Sequence, residues 1–182
     1  MKTKFLYLFI VLSIAFQYNS IAQKIYATKT GQIKFNASGG AEEIGAVNNQ
    51  TDAKFVDKTG QIVFAVLVKG FKFENSLMED HFNENYMEST KFPKADFKGF
   101  IKDITKIDFT KEGKYPIVVE GSLTIHGISK NTTANGILEI KNNKIQIVGK
   151  FAILLSDYKI GGSYIGDKIA SKVNIEVNCK FD

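Results

Sequence analysis

The sequence predicts an all-β domain, an eight-stranded antiparallel β-barrel with one amphipathic helix covering or closing it. Three observations carry this. Nearly every segment after residue 23 alternates apolar and polar residues with a period of two. Short turn-forming sequences separate these segments. Only one stretch, "SLMEDHFNENYMESTKFP" at residues 76–93, spaces its apolar residues as a helix does.

The domain is expected to begin at Gln23. Lys2 and Lys4 precede an apolar run from Phe5 to Phe16, and Ser20 and Ala22 put small residues three and one positions before Gln23. That is the pattern of a secretory signal over residues 1–22, cleaved after Ala22. The run is too short for a comfortable membrane span, and no cysteine follows it to take a lipid anchor. The remaining 160 residues (182 less 22) make one barrel domain, 23–182, with a substantial core. Removing Lys2 and Lys4 lowers the formal charge from +5 to +3, because the signal carries no acid. All 24 basic residues are lysine, so no arginine fork is available for phosphate or carboxylate. No nucleic-acid partner is expected from so mild and arginine-free a charge.

Strands are expected at 25–36, 42–57, 61–72, 95–104, 115–126, 132–141, 144–156 and 170–180. The second has a polar interruption at Asn48-Asn49. Turns fall at Lys58-Thr59-Gly60, Lys111-Glu112-Gly113 and Asn142-Asn143. In "IVVEGSLTIH" Ile117, Val119, Gly121, Leu123 and Ile125 share one face, against Glu120, Ser122, Thr124 and His126. In the last strand Val173, Ile175, Val177, Cys179 and Phe181 do the same. Each such strand has one dry face, and closing eight of them into a barrel hides both the dry faces and the edges. Cys179, the sole cysteine, excludes an intramolecular disulfide and falls in phase with the dry face, as a buried small hydrophobe rather than a reactive thiol. The runs "IVFAVLV" and "FAILL" are apolar on both faces, so the helix is expected to cover their outer sides.

The helix has its own logic. Ser76-Leu77-Met78-Glu79 has the form of a capping box. Met78, Phe82 and Tyr86 recur every four residues, with Leu77 and Met87 widening the stripe. Roughly three turns are expected, ending before Phe92-Pro93. His81 with Glu84 or Glu88 has the spacing of an acid–base pair or of metal ligands. A zinc site needs three or four donors, however, and the only other histidine, His126, lies on a distant strand. No nucleophile motif of the G-x-S-x-G kind occurs. His81 and its acids therefore read as a solvated helix face and His126 as a local hydrogen-bonding residue, with no catalytic residue, metal or cofactor expected. The apolar stripe suits either plain core packing or the wall of a cavity for a flexible apolar ligand.

In order along the chain, "TGQIKF", "LMEDHFNENYMESTKFPKADFKGFI", "GSLTIHGISK" and "KIASKVNIEVNCKF" resemble the YceI family, over about residues 25–182. The intact "HFNENYMES" resembles the branch common in Bacteroidetes. The resemblance implies an extended, lipocalin-like barrel with a helix, exported to the periplasm and without established catalytic residues. It also implies, from some members, a long isoprenoid chain (a quinone or a polyprenyl phosphate) along the interior. Carried onto this sequence, the cavity wall would comprise Met78, Phe82, Tyr86 and Met87 from the helix. Phe64, Phe71 and Phe73 before it, and Phe151 and Ile153, would join them. The expected function is a periplasmic or secreted carrier of an isoprenoid or other lipid, monomer or homodimer, with transient membrane contact. A stress-response or interaction protein with a side-chain-filled barrel ranks second. An enzyme using His81 with Glu84 or Glu88 ranks last.

Overall fold

The period-two segments form strands β1 (Ile25–Ser38), β2 (Gly45–Val56), β3 (Gln61–Leu67), β4 (Lys94–Ile101), β5 (Gly113–Ile125), β6 (Ile128–Lys141), β7 (Lys144–Leu154) and β8 (Ile169–Phe181). The structure, a computed structural model, describes residues 23–41 and 43–181. The expected export signal, 1–22, lies outside the described residues. Each strand pairs antiparallel with its chain neighbours, and β8 returns to β1 to close the barrel. The dry faces point inward as the alternation requires: Ile117, Val119, Leu123 and Ile125 on β5, and Val173, Cys179 and Phe181 on β8, are buried.

Turn chemistry sets the hairpins. Asn142 and Asn143 both adopt positive φ (50° and 58°) between β6 and β7, the backbone of the tight two-residue hairpin. His126 and Gly127 do the same between β5 and β6 (52° and 73°). So β6 starts at Ile128 rather than at 132, because histidine is not read as a turn residue. The expected strands at 61–72, 95–104 and 144–156 are also shorter. Single 3₁₀ turns follow β3 at Val68–Gly70 and β7 at Leu155–Tyr158, and another at Ile104–Lys106 lies beyond β4. Val68 and Leu155 are buried, and an apolar run does not distinguish a buried turn from a strand.

Two seams interrupt the barrel. β2 and β3 pair only from Asp52–Ala65 to Phe55–Ile62, and β6 and β7 only from Asn135–Lys150 to Lys141–Lys144. Four strands separate the seams on either side, so at one end the barrel splays into two facing four-stranded sheets. Each seam is filled by the turn that follows its strand. In the first, Val47 and Lys72 exchange both backbone hydrogen bonds (2.9 and 3.1 Å), and the buried Asn48 amide donates to the Leu67 carbonyl at 3.0 Å. In the second, Tyr158 is buried, and burial pushes the pKa of its hydroxyl above the ordinary phenol range. At the first seam these contacts satisfy backbone groups that an open seam would leave bare.

The opposite end is solid. Phe55, Leu138 and Phe181 are fully buried there with Ile62, Ile140 and Ile145. Ile104, Ile107 and Phe109 from the β4–β5 connection close it over. Cys179 belongs to this core, and burial pushes its thiol up to about 12. A thiol so protonated and enclosed is not a nucleophile at neutral pH. Ellman's reagent is expected to leave the native protein unmodified and to react with one thiol on unfolding; fast native labelling would contradict this packing.

Candidate functional site

The lid over the splayed end is the chain between β3 and β4. Helix α1 (Ser76–His81) opens it and passes into a wider π-type turn at Phe82–Tyr86. The N-cap is Asn75 rather than Ser76: its side-chain oxygen accepts from the Leu77 amide at 2.9 Å. Glu79 does not close the expected box. Its carboxylate accepts from Lys72 Nζ at 2.6 Å and from the Phe73 amide at 3.4 Å, and the Lys72 bond holds it below the ordinary carboxylate range. The acid thus ties the helix to the first seam filler. Nor does the helix cover the outer sides of "IVFAVLV" and "FAILL", where Leu67 and Leu154 stay 53% and 45% exposed. Its stripe turns inward instead, across the mouth.

Beneath the lid lies a cavity of about 480 Å³, inside the range of about 300–1,000 Å³ for small-molecule sites. Its deep end is bounded by Ile62, Val119, Ile147 and Gly149, above the solid core. At the mouth Phe82 sits among Phe35, Phe71 and Phe73, with ring centroids 5.5, 5.8 and 5.1 Å away. Aromatic rings at such offsets attract without interlocking, which makes a cohesive but deformable stopper. All nine residues expected at a cavity wall line this space: Phe64, Phe71, Phe73, Met78, Phe82, Tyr86, Met87, Phe151 and Ile153. The inference missed Phe35, which the alternation of β1 places inward, and Phe97 on β4, whose ring is 6.3 Å from that of Phe64. It also missed the second seam filler, with Leu155 and Ile160 on the wall.

Polar groups gather at the rim. Tyr86, Tyr164, His81 and Lys168 border the cavity, and the Lys168 ammonium sits 5.3 Å from the centre of the Tyr164 ring. Burial, followed by the neighbouring Tyr164, raises the Tyr86 hydroxyl above the ordinary phenol range. A side chain on Gly162 would come within 2.7 Å of the Tyr86 ring, so this glycine lets the β7–β8 connection close on the lid. The His81–Glu88 pairing does not form. Glu88 Oε2 instead lies 3.4 Å from His126 Nε2 and 3.4 Å from Lys91 Nζ. Among the described residues no cluster of three metal-ligating side chains occurs, and no described helix is long and apolar enough to cross a membrane.

Comparison with known proteins agrees with this architecture. The model of the YceI-like domain family matches residues 16–181. BcnA from Burkholderia cenocepacia superposes with a TM-score of 0.68 at 17% identity, covering 84% of this chain and 96% of that one. A polyisoprenoid binding domain from Saccharophagus degradans, implicated in plant cell wall breakdown, gives 0.73 at 10% identity, over 88% and 99%. A Campylobacter jejuni YceI protein gives 0.52 at 16%, over 90% and 86%. At these identities the likeness is one of fold. No curated protein matches the chain by sequence.

Proposed function

The chain belongs to the YceI-like domain family, and from that premise we propose that it binds and carries a long, thin apolar molecule in its barrel, an isoprenoid chain or a similar lipid. The observation that carries this reading is the blind, apolar cavity of about 480 Å³ under an aromatic stopper. A tail entering it leaves water for a space lined by side chains that cannot compete for hydrogen bonds. At roughly 25 cal/mol per Å², burying about 300 Å² of tail yields about 7 kcal/mol before ordering costs. Selectivity then comes from length and width, since two sheets facing each other admit a thin chain more readily than a fused-ring body. The polyisoprenoid-binding neighbour from Saccharophagus degradans supports the same ligand class.

We further propose binding rather than catalysis: Glu88 faces His126 instead of His81, and no hydrogen bond or ion pair joins His81 to Glu84 either. The export signal expected at residues 1–22 supports action in the periplasm. Native mass spectrometry of the protein from periplasmic extract, with organic extraction of any bound mass, tests the proposal. A discrete lipid mass is expected, lost on Phe82→Asp or Tyr86→Asp without unfolding. A clean unliganded mass, unchanged after incubation with quinones and polyprenyl phosphates, would overturn it.

A further inference from the structure

We propose that His126 and Glu88 form a proton-operated latch, which holds the lid over the cavity mouth more firmly on the acid side of neutrality. As a device regulating release, it rests on the cavity being the binding site. His126 stands at the tip of the β5–β6 hairpin, with its Nδ1 3.1 Å from the Tyr158 carbonyl. A carbonyl only accepts, so Nδ1 carries the proton. In the neutral ring Nε2 is then a bare lone pair. This atom is buried and makes no hydrogen bond, although Glu88 Oε2 lies 3.4 Å away. Two acceptors face one another across a gap that one proton would bridge. Protonation turns that contact into a charge-assisted hydrogen bond.

The three partners belong to three separate parts of the mouth. Glu88 ends the lid with a φ of 42°, and its carbonyl accepts from the Lys91 and Phe92 amides at 2.8 and 2.9 Å. The Phe92 ring meets the imidazole edge-on at 4.5 Å. Tyr158 belongs to the filler of the second seam. A protonated His126 therefore ties lid, hairpin and seam filler together at one point.

The charged groups on the packed elements are few. The lid brings Glu88 and Lys91, whose Nζ shares the same Glu88 oxygen at 3.4 Å. The filler has Asp157 and Lys159 beside Tyr158. The hairpin adds the neutral Thr124–Ser129 pair, bonded at 2.9 Å. Of these only Glu88 lies within ion-pair distance of the ring, and Lys91 moderates the effect by competing for it. The added bond exists only while the lid is closed. Closure thus gains this bond only while the imidazole carries its second proton.

The test uses N-phenyl-1-naphthylamine, an apolar fluorescent probe uncharged over this range, on the wild type, Glu88→Gln and His126→Asn. Asparagine tolerates the left-handed backbone at 126, and glutamine keeps the size of Glu88. In the wild type, stopped-flow dissociation is expected to be about five-fold slower near pH 6 than near pH 8. Both variants should show a pH ratio near one. Amide exchange of residues 76–92 without probe, corrected for intrinsic rates, should follow the same pattern. Equal rates at the two pH values in the wild type, or an undiminished ratio in Glu88→Gln, would overturn the latch. Absence of probe binding at either pH would overturn the carrier reading instead, with amide exchange still deciding the latch.

Discussion

Gly149→Phe is expected to weaken binding of a long-chain guest by about two orders of magnitude while leaving the fold intact. Gly149 points inward from β7 opposite Gly136, at the deep end of the cavity beside Val119, Ile147 and Val177. A Cβ there would meet its nearest atom, the Asn135 carbonyl oxygen, at 3.7 Å, an ordinary contact. The new ring thus enters empty space and occupies the volume that the far end of a guest would fill. At about 0.8 kcal/mol per methylene, excluding three or four of them costs about 3 kcal/mol, on the order of a hundred-fold in Kd. A ten-carbon prenol that stops short of Gly149 should lose far less than a twenty-carbon one. Titrating both against the variant checks the prediction. Unchanged affinity for the longer chain would mean that the guest never reaches the deep end.

The same residue type two strands back along the chain, on β5, tolerates nothing. Gly121→Val is expected to destabilise the protein by about 3 kcal/mol or more, a fall in Tm of about 10 °C for a domain of this size. Gly121 on β5 lies directly opposite Gly99 on β4. A Cβ at Gly121 would come within 2.5 Å of the Gly99 Cα and of the Lys98 carbonyl oxygen, and within 2.7 Å of the Phe97 ring. Two of those three neighbours are backbone and cannot step aside. Phe97 in turn lines the cavity, so its displacement would also disturb the wall. Thermal denaturation followed by circular dichroism reads the effect directly. A Tm within about 2 °C of the wild type would show that the β4–β5 pair can open to admit a side chain.

The contrast between these two glycines separates what is local from what is not. Alternation told which residues of each strand face the interior, because a period of two is a property of the extended chain itself. It therefore placed Ile117 to Ile125 and Val173 to Phe181 on the dry side, and the spacing of Met78, Phe82 and Tyr86 gave the lid a single apolar face. The nine wall residues came from the family resemblance rather than from these patterns; all nine line the cavity, and their part in binding belongs to the proposal. Alternation could not tell that Gly149 borders a void while Gly121 touches backbone. That depends on what faces each of them from other strands.

Capping was misread for a related reason. Ser76 and Glu79 satisfy a local pattern, but Lys72 and the Phe73 amide offered Glu79 a stronger bond than the Ser76 amide did, and Asn75 took the cap. The polar interruption at Asn48 was visible in the sequence, while its purpose, stitching the first seam to the Leu67 carbonyl 19 residues away, was not. His126 read as a local hydrogen-bonding residue. Its partners lie 32 residues ahead at Tyr158 and 38 behind at Glu88. By itself the sequence determined an antiparallel all-β chain, its dry faces and a one-faced helix, because these follow from dihedral preference and short-range periodicity; closure into a barrel rests on the pairing of β1 with β8. The tertiary structure alone decided that one end is solid and the other hollow, where the seams part and what bolts the lid. Those features are sums of side-chain volume and hydrogen-bond competition between strands far apart in the chain, and no period along the sequence records them.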